Sequence, residues 1–276
     1  MSSYLDATRI RNLAASLELR PSKGRGQNFL FDANTVRRIV SLAGVTSDDT
    51  VLEIGPGLGS LTVGLLHTGA GVVAVEIESA LAERLPVTMG ELAPARVSNL
   101  TVLHEDALKM GPVDSNPTML VANLPYNISV PVILHVLATC PTITHGLVMV
   151  QLEVADRLAA PPGSKVYGVP SAKLAWYASA ARVGTVPPTV FWPAPNVDSG
   201  LVRFVRRDPP PGADRESTFA LIDAAFSQRR KMLRSVLTST YGPAVRPALE
   251  QAGIAPEARG ETLSIEDFAR LAGALT

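Results

Sequence analysis

Five short apolar runs that alternate with segments of helical periodicity constrain the fold of this chain more than any other feature. Most positions within each run are apolar, which is typical of strands that are buried on both faces of a sheet. The runs are residues 50–54, 71–76, 100–104, 118–122 and 145–151, and the helical segments are residues 34–43, 59–66, 79–85 and 130–138. This alternation predicts a doubly wound α/β fold with helices on both faces of a parallel sheet.

A proline-rich segment at residues 206–214 marks a boundary in the sequence, because prolines and polar residues in such a run are typical of a linker. Three segments of helical spacing follow, at residues 217–240, 248–253 and 265–274. We therefore predict an α/β domain over residues 1–206 and a small all-helical domain over residues 207–276.

The composition excludes several classes of protein. Hydrophobic residues make up 46% of the 276 residues and charged residues 18%, which is ordinary for a soluble globular protein. No apolar run reaches the roughly 18 residues that cross a bilayer, and the N-terminus lacks the order of a secretion signal. The single cysteine, Cys140, excludes an internal disulfide, and four scattered histidines show no metal-ligand spacing. We therefore expect a cytoplasmic protein with no membrane segment and no metal.

Basic residues cluster at two places, although the formal net charge is zero. Residues 1–38 hold seven lysines and arginines against three acidic residues, and residues 229–234 hold four bases and no acid. The second cluster consists of Arg229, Arg230, Lys231 and Arg234, on a predicted helix. Clustered cations favour binding to phosphates, and the alternative for each cluster is a solvated surface.

Three glycines lie between the first predicted strand and the next helix, at Gly55, Gly57 and Gly59. Glycine permits a tight turn and the close approach of a ligand to the backbone. A pyrophosphate-binding turn has its third glycine three residues after the second. Ser60 occupies that position here, so the turn fits a ligand with an adenosyl and an amino-acid group better.

Two carboxylates follow the next two strands. Glu76 ends the second strand, where a carboxylate can accept hydrogen bonds from both ribose hydroxyls of such a ligand. Asp106 follows the third strand and is placed to accept from the adenine amino group. The alternatives are a surface carboxylate for Glu76 and a helix N-cap for Asp106.

The segment Asn123-Leu124-Pro125-Tyr126 follows the fourth strand, at the edge where open α/β sheets bind ligands. Adenine N6 is a poor nucleophile because its lone pair is delocalised into the ring. The Asn123 side-chain oxygen and the Leu124 carbonyl can each accept one N6 hydrogen, which frees that lone pair. Pro125 fixes the backbone, and Tyr126 offers a ring on which a flipped base can stack. Transfer of a methyl group from a sulfonium needs no strong general base, so positioning of the amine suffices. The alternative interpretation of this segment is a turn that only ends the strand.

Six motifs resemble, in the same order, those of the small-subunit ribosomal RNA adenine dimethyltransferases. They are residues 26–30, 53–57, 123–129, 162–168, 191–199 and 226–234. The resemblance covers nearly the whole chain. It implies a Rossmann-like methyltransferase sheet with S-adenosylmethionine as cofactor, followed by the small all-helical domain.

The resemblance also implies a role for individual residues. Cofactor contacts are expected from Asn28, Leu30, Gly55, Glu76, Asp106 and Asn123. Tyr126 and Phe191 are expected to hold the target base between them, with core packing as the alternative for Phe191. The implied reaction transfers two methyl groups to N6 of each of two adjacent adenosines in the loop of the last helix of 16S ribosomal RNA. The implied partner is that RNA within the 30S particle, bound through the cations at 229–234 by a monomeric enzyme.

Three other functions remain open. A resistance methyltransferase that modifies an adenine of large-subunit RNA shares the fold and much of the site, but usually has isoleucine in place of Leu124. A non-catalytic assembly or transcription factor of this fold would not need an intact site. A nicotinamide dehydrogenase is disfavoured by the glycine spacing and by the lack of residues for hydride transfer.

Overall fold

A computed structural model describes residues 4–19, 28–229 and 231–276 of the chain. Gly26 and Gln27 of the first motif lie outside the described residues. So do three basic residues of the N-terminal cluster, at 20, 23 and 25, and Arg230 of the second cluster. Within the described part of the chain, no helix has the length and apolar character needed to cross a membrane.

The described residues form nine strands, which are β1 (Phe29–Leu30), β2 (Thr50–Ile54), β3 (Gly71–Glu76), β4 (Leu100–His104), β5 (Met119–Asn123), β6 (His145–Gln151), β7 (Ala178–Val186), β8 (Phe191–Trp192) and β9 (Ser199–Arg206). They also form eleven α-helices, which are α1 (Ala7–Ser16), α2 (Ala33–Ala43), α3 (Ser60–His67), α4 (Ser79–Leu92), α5 (Ser129–Thr139), α6 (Leu152–Leu158), α7 (Val169–Ala175), α8 (Arg215–Phe226), α9 (Leu233–Tyr241), α10 (Val245–Gln251) and α11 (Ile265–Leu275). Short 3₁₀ helices lie at Val97–Asn99, Pro188–Val190, Gly242–Ala244 and Gly260–Thr262.

Seven of the described strands form one sheet in the order β4-β3-β2-β5-β6-β9-β7. The strands from β4 to β6 in this order are parallel, and the order reverses between β2 and β5. Open α/β sheets bind ligands outside the carboxyl ends of the strands at such a reversal. β9 runs antiparallel to β6 with Ser199 opposite Gln151. The first residue of β9 therefore lies at the same edge of the sheet as the last residue of β6.

The predicted α/β fold is confirmed, with the five predicted strands parallel to one another. The fourth begins and ends one residue later than predicted, and the other four have the predicted bounds. Residues of the four inner strands are almost all buried, whereas β4 is partly exposed because it forms an edge of the sheet. The sheet is not wholly parallel, because the antiparallel β9 was not predicted. No element was predicted between residues 152 and 206, where β7 has many small and polar residues and no continuous apolar run.

Helix α4 is longer than predicted, since it continues through Pro86 to Leu92. A proline usually ends a helix at the residue before it, because it lacks the N–H and its ring crowds the preceding turn. Thr88 and Met89, which follow the proline, are buried. Burial of this second half therefore outweighs the cost of the proline.

The contacts of the chain divide it into two compact units. The first contains residues 1–155 and 182–205, and the second contains residues 156–181 and 206–276. The predicted boundary after residue 206 lies next to the last of these divisions, but residues 156–181 belong with the helices that follow. The reason is packing, because the rings of Trp176 and Tyr177 both contact Phe219 edge-on. That the chain has two independently folding domains stays a prediction.

The long helical segment predicted at 217–240 is wrong in one respect, because it is broken into α8 and α9. Apolar spacing does not reveal the break, since Phe226 and Leu233 are seven residues apart and so keep the helical phase. Between the helices the N–H of Lys231 bonds to the carbonyl of Gln228, and the N–H of Leu233 bonds to the carbonyl of Ala258. Tertiary contacts thus replace helical hydrogen bonds in this turn.

Candidate active site

The turn between β2 and α3 has a backbone that favours glycine. The φ angle is 68° at Gly55, 58° at Gly57 and 96° at Gly59, all in the left-handed region. A Cβ atom on Gly59 would lie 2.6 Å from Cε of Met89 and 2.8 Å from Cδ1 of Leu85. Gly59 is therefore required both by its backbone angle and by the close packing of α4.

A pocket lies at the carboxyl ends of β2 and β5, within the first unit. It brings together seven of the predicted site residues, which are Asn28, Leu30, Gly55, Asn123, Leu124, Pro125 and Tyr126. Pro125 lies close to the glycine turn, since a Cβ atom on Gly55 would be 3.8 Å from the proline Cδ. Two motifs that are distant in the sequence thus share one pocket at the reversal of strand order.

Glu76 ends β3 beside this pocket and is only 5% exposed. Its Oε2 accepts a hydrogen bond from the N–H of Gly57 and its Oε1 accepts one from the N–H of Glu78, both at 3.1 Å. Burial raises the pKa of Glu76 above its usual value, although these two N–H groups act in the opposite direction. Its burial excludes the alternative of a surface carboxylate, and the carboxylate links the glycine turn to β3.

Asp106 lies just beyond β4 and caps a turn. Its Oδ1 accepts a hydrogen bond from the N–H of Leu108 at 2.9 Å, and its Oδ2 is 3.5 Å from Nζ of Lys109. No helix directly follows Asp106 among the described residues, so it is not the helix N-cap that was the alternative to a cofactor contact. The cofactor role of Asp106 stays a prediction.

The amide of Asn123 is oriented by the backbone next to β1. Its Nδ2 donates to the carbonyl oxygen of Asn28 at 3.4 Å. The next residue, Leu124, is buried, and its N–H donates to the carbonyl of Met149 on β6 at 3.0 Å. Because Nδ2 is the donor in this contact, Oδ1 is the atom of the Asn123 side chain that can accept from a ligand.

Tyr126 lines the pocket, and its hydroxyl forms a hydrogen bond with Ser199. The hydroxyl lies 2.7 Å from Oγ of Ser199, the first residue of β9. Burial raises the pKa of Tyr126 above its usual value. The phenol therefore stays protonated at neutral pH, and Tyr126 offers a ring face and not a base.

Phe191 does not line the pocket. It is 3% exposed, pairs with Leu30 across the short β1–β8 sheet, and packs in a core cluster with Val186 and Leu201. Core packing, the alternative left open above, is therefore its role in this structure. Stacking of a base on Phe191 stays a prediction, and it requires the ring to leave the core.

The predicted cations of the second unit differ in their surroundings. Arg229 is not on a helix, and its guanidinium donates to Oε2 of Glu261 at 2.9 Å, to the carbonyl of Ser164 at 3.4 Å and to that of Lys165 at 2.5 Å. Lys231 also lies in the turn before α9, where it is exposed, and Arg234 is exposed on α9 itself. Arg230 lies outside the described residues.

Glu53 lies within β2 and lines the pocket, although it was not among the predicted site residues. It is 1% exposed, and neither its Oε2 nor the buried Oγ of Ser60 has a hydrogen-bond partner among the described residues. Burial, together with the nearby Glu76, raises the pKa of Glu53 to about 8. An acidic residue inside an apolar strand is the signal that points to it. Buried polar atoms of this kind fit a site that is completed by a polar or cationic ligand.

Metal ligation is not part of this arrangement as far as the structure describes it. Residues 4–19, 28–229 and 231–276 contain no group of three or more histidine, cysteine, aspartate or glutamate side chains that could hold a metal ion.

Comparisons with known proteins identify the family of this chain. The profile of the family described as ribosomal RNA adenine dimethylase matches residues 20–276. Ribosomal RNA small subunit methyltransferase A from Cutibacterium acnes is 58% identical, over 99% of this chain and 95% of that protein. Among solved structures, a dimethyladenosine transferase from Plasmodium falciparum is similar with a TM-score of 0.76 and 25% identity, over 88% of this chain and 95% of that one. The 23S rRNA methyltransferase ErmE is similar with a TM-score of 0.64 and 28% identity, over 90% of this chain and 99% of that one. The chain therefore belongs to the ribosomal RNA adenine dimethylase family, whose members are S-adenosylmethionine-dependent methyltransferases.

Proposed function

We propose that this chain transfers methyl groups from S-adenosylmethionine to N6 of two adjacent adenosines in the loop of the 3′-terminal helix of 16S ribosomal RNA, within the 30S particle. The observation that carries the proposal is the single pocket in which the glycine turn meets the segment from Asn123 to Tyr126. The relative at 58% identity is named for the small subunit, which favours that subunit as the substrate. We also propose that the enzyme acts as a cytoplasmic monomer in small-subunit biogenesis.

The residues around the glycine turn fit the proposed cofactor. Asn28, Leu30, Gly55 and Asn123 line the pocket and would contact it. The unpartnered oxygen of Glu53 would be available to a polar group of this ligand. When bound, this cofactor supplies a methyl group on a positively charged sulfur.

The two carboxylates predicted to bind the cofactor already accept hydrogen bonds from the main chain. A carboxylate oxygen has a second lone pair, so Glu76 can hold the glycine turn and also accept from ribose hydroxyls. Asp106 would likewise accept from the adenine amino group while capping its turn. These contacts would place the adenosyl group across the ends of β3 and β4.

Asn123 and Leu124 would prepare the target amine for reaction. Their side-chain and main-chain oxygens each accept one N6 hydrogen, which draws the nitrogen toward tetrahedral geometry and localises its lone pair. Leu124 is held by its hydrogen bond to Met149, and Pro125 restricts the backbone between Leu124 and Tyr126. The acceptors are thus fixed before the substrate binds, and this preorganisation lowers the barrier. The amine loses its proton only after transfer, so a second methylation can follow on the same nitrogen.

The target base would stack on the ring of Tyr126, which lines the pocket. Stacking of a base on an aromatic side chain contributes about 1–3 kcal/mol. A second ring, Phe191, would complete the sandwich only after leaving its core position. Such a movement would couple substrate binding to a change at the β1–β8 sheet.

The cations between α8 and α9 would bind the RNA backbone. Lys231 and Arg234 are exposed, and contacts to phosphates give affinity without reading the sequence. We include Arg230 in this set as a prediction from the sequence alone. Arg229 would act indirectly, because its guanidinium already holds three acceptors of the second unit. With a net charge of zero, the enzyme would depend on a particle in which ribosomal proteins share the docking.

Methylation of isolated subunits tests the proposal. The protein is incubated with radiolabelled S-adenosylmethionine and either undermethylated small subunits or large subunits, and the labelled nucleoside is mapped by nuclease digestion. We expect dimethyladenosine in the 3′-terminal fragment of 16S RNA. Label in the large subunit would favour the activity for which ErmE is named, and no label in either subunit would favour a non-catalytic assembly factor.

A further inference from the structure

One hydrogen bond joins the catalytic segment to a strand that the proposed mechanism does not use. We infer that Ser199 is a positioning residue for methyl transfer, which fixes the direction of the Tyr126 side chain and so the position of the ring on which the target base stacks. This inference rests on the proposed function, because it assigns Ser199 a role through Tyr126.

The contact is short and removed from water. The Tyr126 hydroxyl and Oγ of Ser199 are 2.7 Å apart, and Ser199 is fully buried. A hydrogen bond between neutral groups usually shifts an equilibrium by about fivefold. Such a bond is enough to favour one orientation of a side chain over others.

Ser199 is itself held firmly by the backbone around it. It pairs with Gln151 at the end of β6, and the carbonyl of Asp198 accepts from the N–H of Leu152 at 3.0 Å. A Cβ atom on Gly200 would lie 2.3 Å from Cβ of Ala155, so β9 packs tightly at this point. The hydroxyl of Ser199 is therefore a fixed reference point at the carboxyl edge of the sheet.

The tyrosine ring is thus restrained at both ends. Its Cα follows Pro125, which restricts the backbone, and its hydroxyl is bonded to β9. A ring restrained at two points keeps its position in the pocket before a base arrives, which reduces the cost of ordering the complex. This arrangement explains why a tyrosine serves here and a phenylalanine, which stacks equally well, would serve less well.

A double-mutant cycle tests the inference on the full-length protein with small subunits as substrate. Ser199→Ala and Tyr126→Phe each remove the same hydrogen bond from opposite sides. We expect each to lower kcat for methyl transfer by about threefold to tenfold while KM for the cofactor changes little. The double variant should be no slower than Tyr126→Phe alone, because the two residues act through one bond.

Ser171 provides a matched control, because it is a buried, hydrogen-bonded serine of the second unit that does not line this pocket. Ser171 donates to the carbonyl of Arg157 at 2.5 Å and accepts from the N–H of Gly168 at 3.0 Å. Ser171→Ala should lower Tm and keep kcat. A merely structural Ser199 would behave in the same way.

Two results would overturn the inference. Ser199→Ala could lower kcat by the same factor in the wild-type and Tyr126→Phe backgrounds, which would show that it does not act through Tyr126. Alternatively, Tyr126→Phe could retain full kcat, and this second variant decides the question even when Ser199→Ala does not fold. A wild-type protein that methylates neither subunit would instead overturn the proposed function and this inference with it.

Discussion

The pocket at the carboxyl edge of the sheet and the turn between α8 and α9 use polar side chains in opposite ways. In the pocket, Glu53 keeps a buried oxygen without a partner among the described residues. In the turn, the guanidinium of Arg229 is bonded to one carboxylate and two carbonyls. The sequence suggested the reverse, with Glu53 overlooked and Arg229 assigned to RNA. The availability of a polar group to a ligand therefore depends on its partners in the fold and not on its charge.

The largest effect is expected from Asn123, since it provides the acceptor that prepares the target amine. Asn123→Ala should lower the rate of methyl transfer by about a hundredfold or more, as with other preorganised hydrogen-bonding groups of active sites. Cofactor binding should change only modestly. Single-turnover methylation and equilibrium binding measure the two quantities, with Asn12→Ala on the exposed side of α1 as the control. Near-normal turnover in Asn123→Ala would contradict the mechanism.

The next largest effect is expected from Glu76, which holds the glycine turn and is proposed to bind the ribose. Hydrogen bonds to a charged group contribute about 1.5–3 kcal/mol each, so Glu76→Ala should weaken cofactor binding by tenfold or more. Titration calorimetry with S-adenosylhomocysteine measures the affinity. Glu105→Ala, at an exposed position beyond β4, is the control. Equal affinity for the Glu76 variant and the wild type would remove Glu76 from the site.

A pH dependence follows from Glu53, whose pKa is raised from 4.5 to about 8 by burial. Between these values the unfolded chain has released this proton and the folded protein retains it. The free energy of unfolding should therefore fall as the pH rises through this range, by at most about 1.4 kcal/mol per pH unit. Denaturant unfolding between pH 5 and about pH 8 measures the slope.

Glu53→Gln should flatten that slope, because glutamine stays neutral. Glu83→Gln, on the exposed face of α4, should leave the slope as in the wild type. A slope that persists unchanged in Glu53→Gln would contradict the assignment to this residue, although Glu76 contributes in the same direction.

The smallest effect is expected from the basic residues between α8 and α9. Arg229 and Lys231 lie in this one turn but differ in their hydrogen-bond partners, so they can be compared directly. Lys231→Ala should weaken binding to small subunits severalfold and reduce the salt dependence by about one phosphate contact. Arg229→Ala should instead destabilise the second unit by about 1–2 kcal/mol, since it removes bonds to Glu261 and two carbonyls. Arg246→Ala, whose exposed side chain pairs with Glu250 at 3.7 Å, is the control. An Arg229 variant with normal stability and a reduced salt slope would restore its direct role.

The sequence predicts the strands well because their burial is encoded locally. β2, β3 and β6 lie in the interior of the sheet, so most of their residues are apolar, with Glu53 of β2 as an exception. Helix α4 and the break between α8 and α9 are predicted less well. In both, tertiary contacts decide the outcome, through burial of Met89 in one case and the bond from Leu233 to Ala258 in the other.

The candidate site follows the same rule. Gly55, Asn123 and Tyr126 are recognisable because they lie at or just beyond the carboxyl ends of strands that meet at one edge. The hydrogen bond between Tyr126 and Ser199 depends on the antiparallel pairing of β9 with β6, which joins residues distant in the sequence. Phe191 differs in the opposite way. The motif that contains it predicts a contact with the target base, but in the structure its ring packs in the core.

A crystal structure of the protein with S-adenosylhomocysteine and a short RNA containing the two target adenosines tests the central claim most directly. The account predicts that N6 of the extruded adenine lies within about 3.2 Å of both Oδ1 of Asn123 and the carbonyl oxygen of Leu124, with its ring against Tyr126. A complex in which these two oxygens point away from the adenine amino group would contradict it.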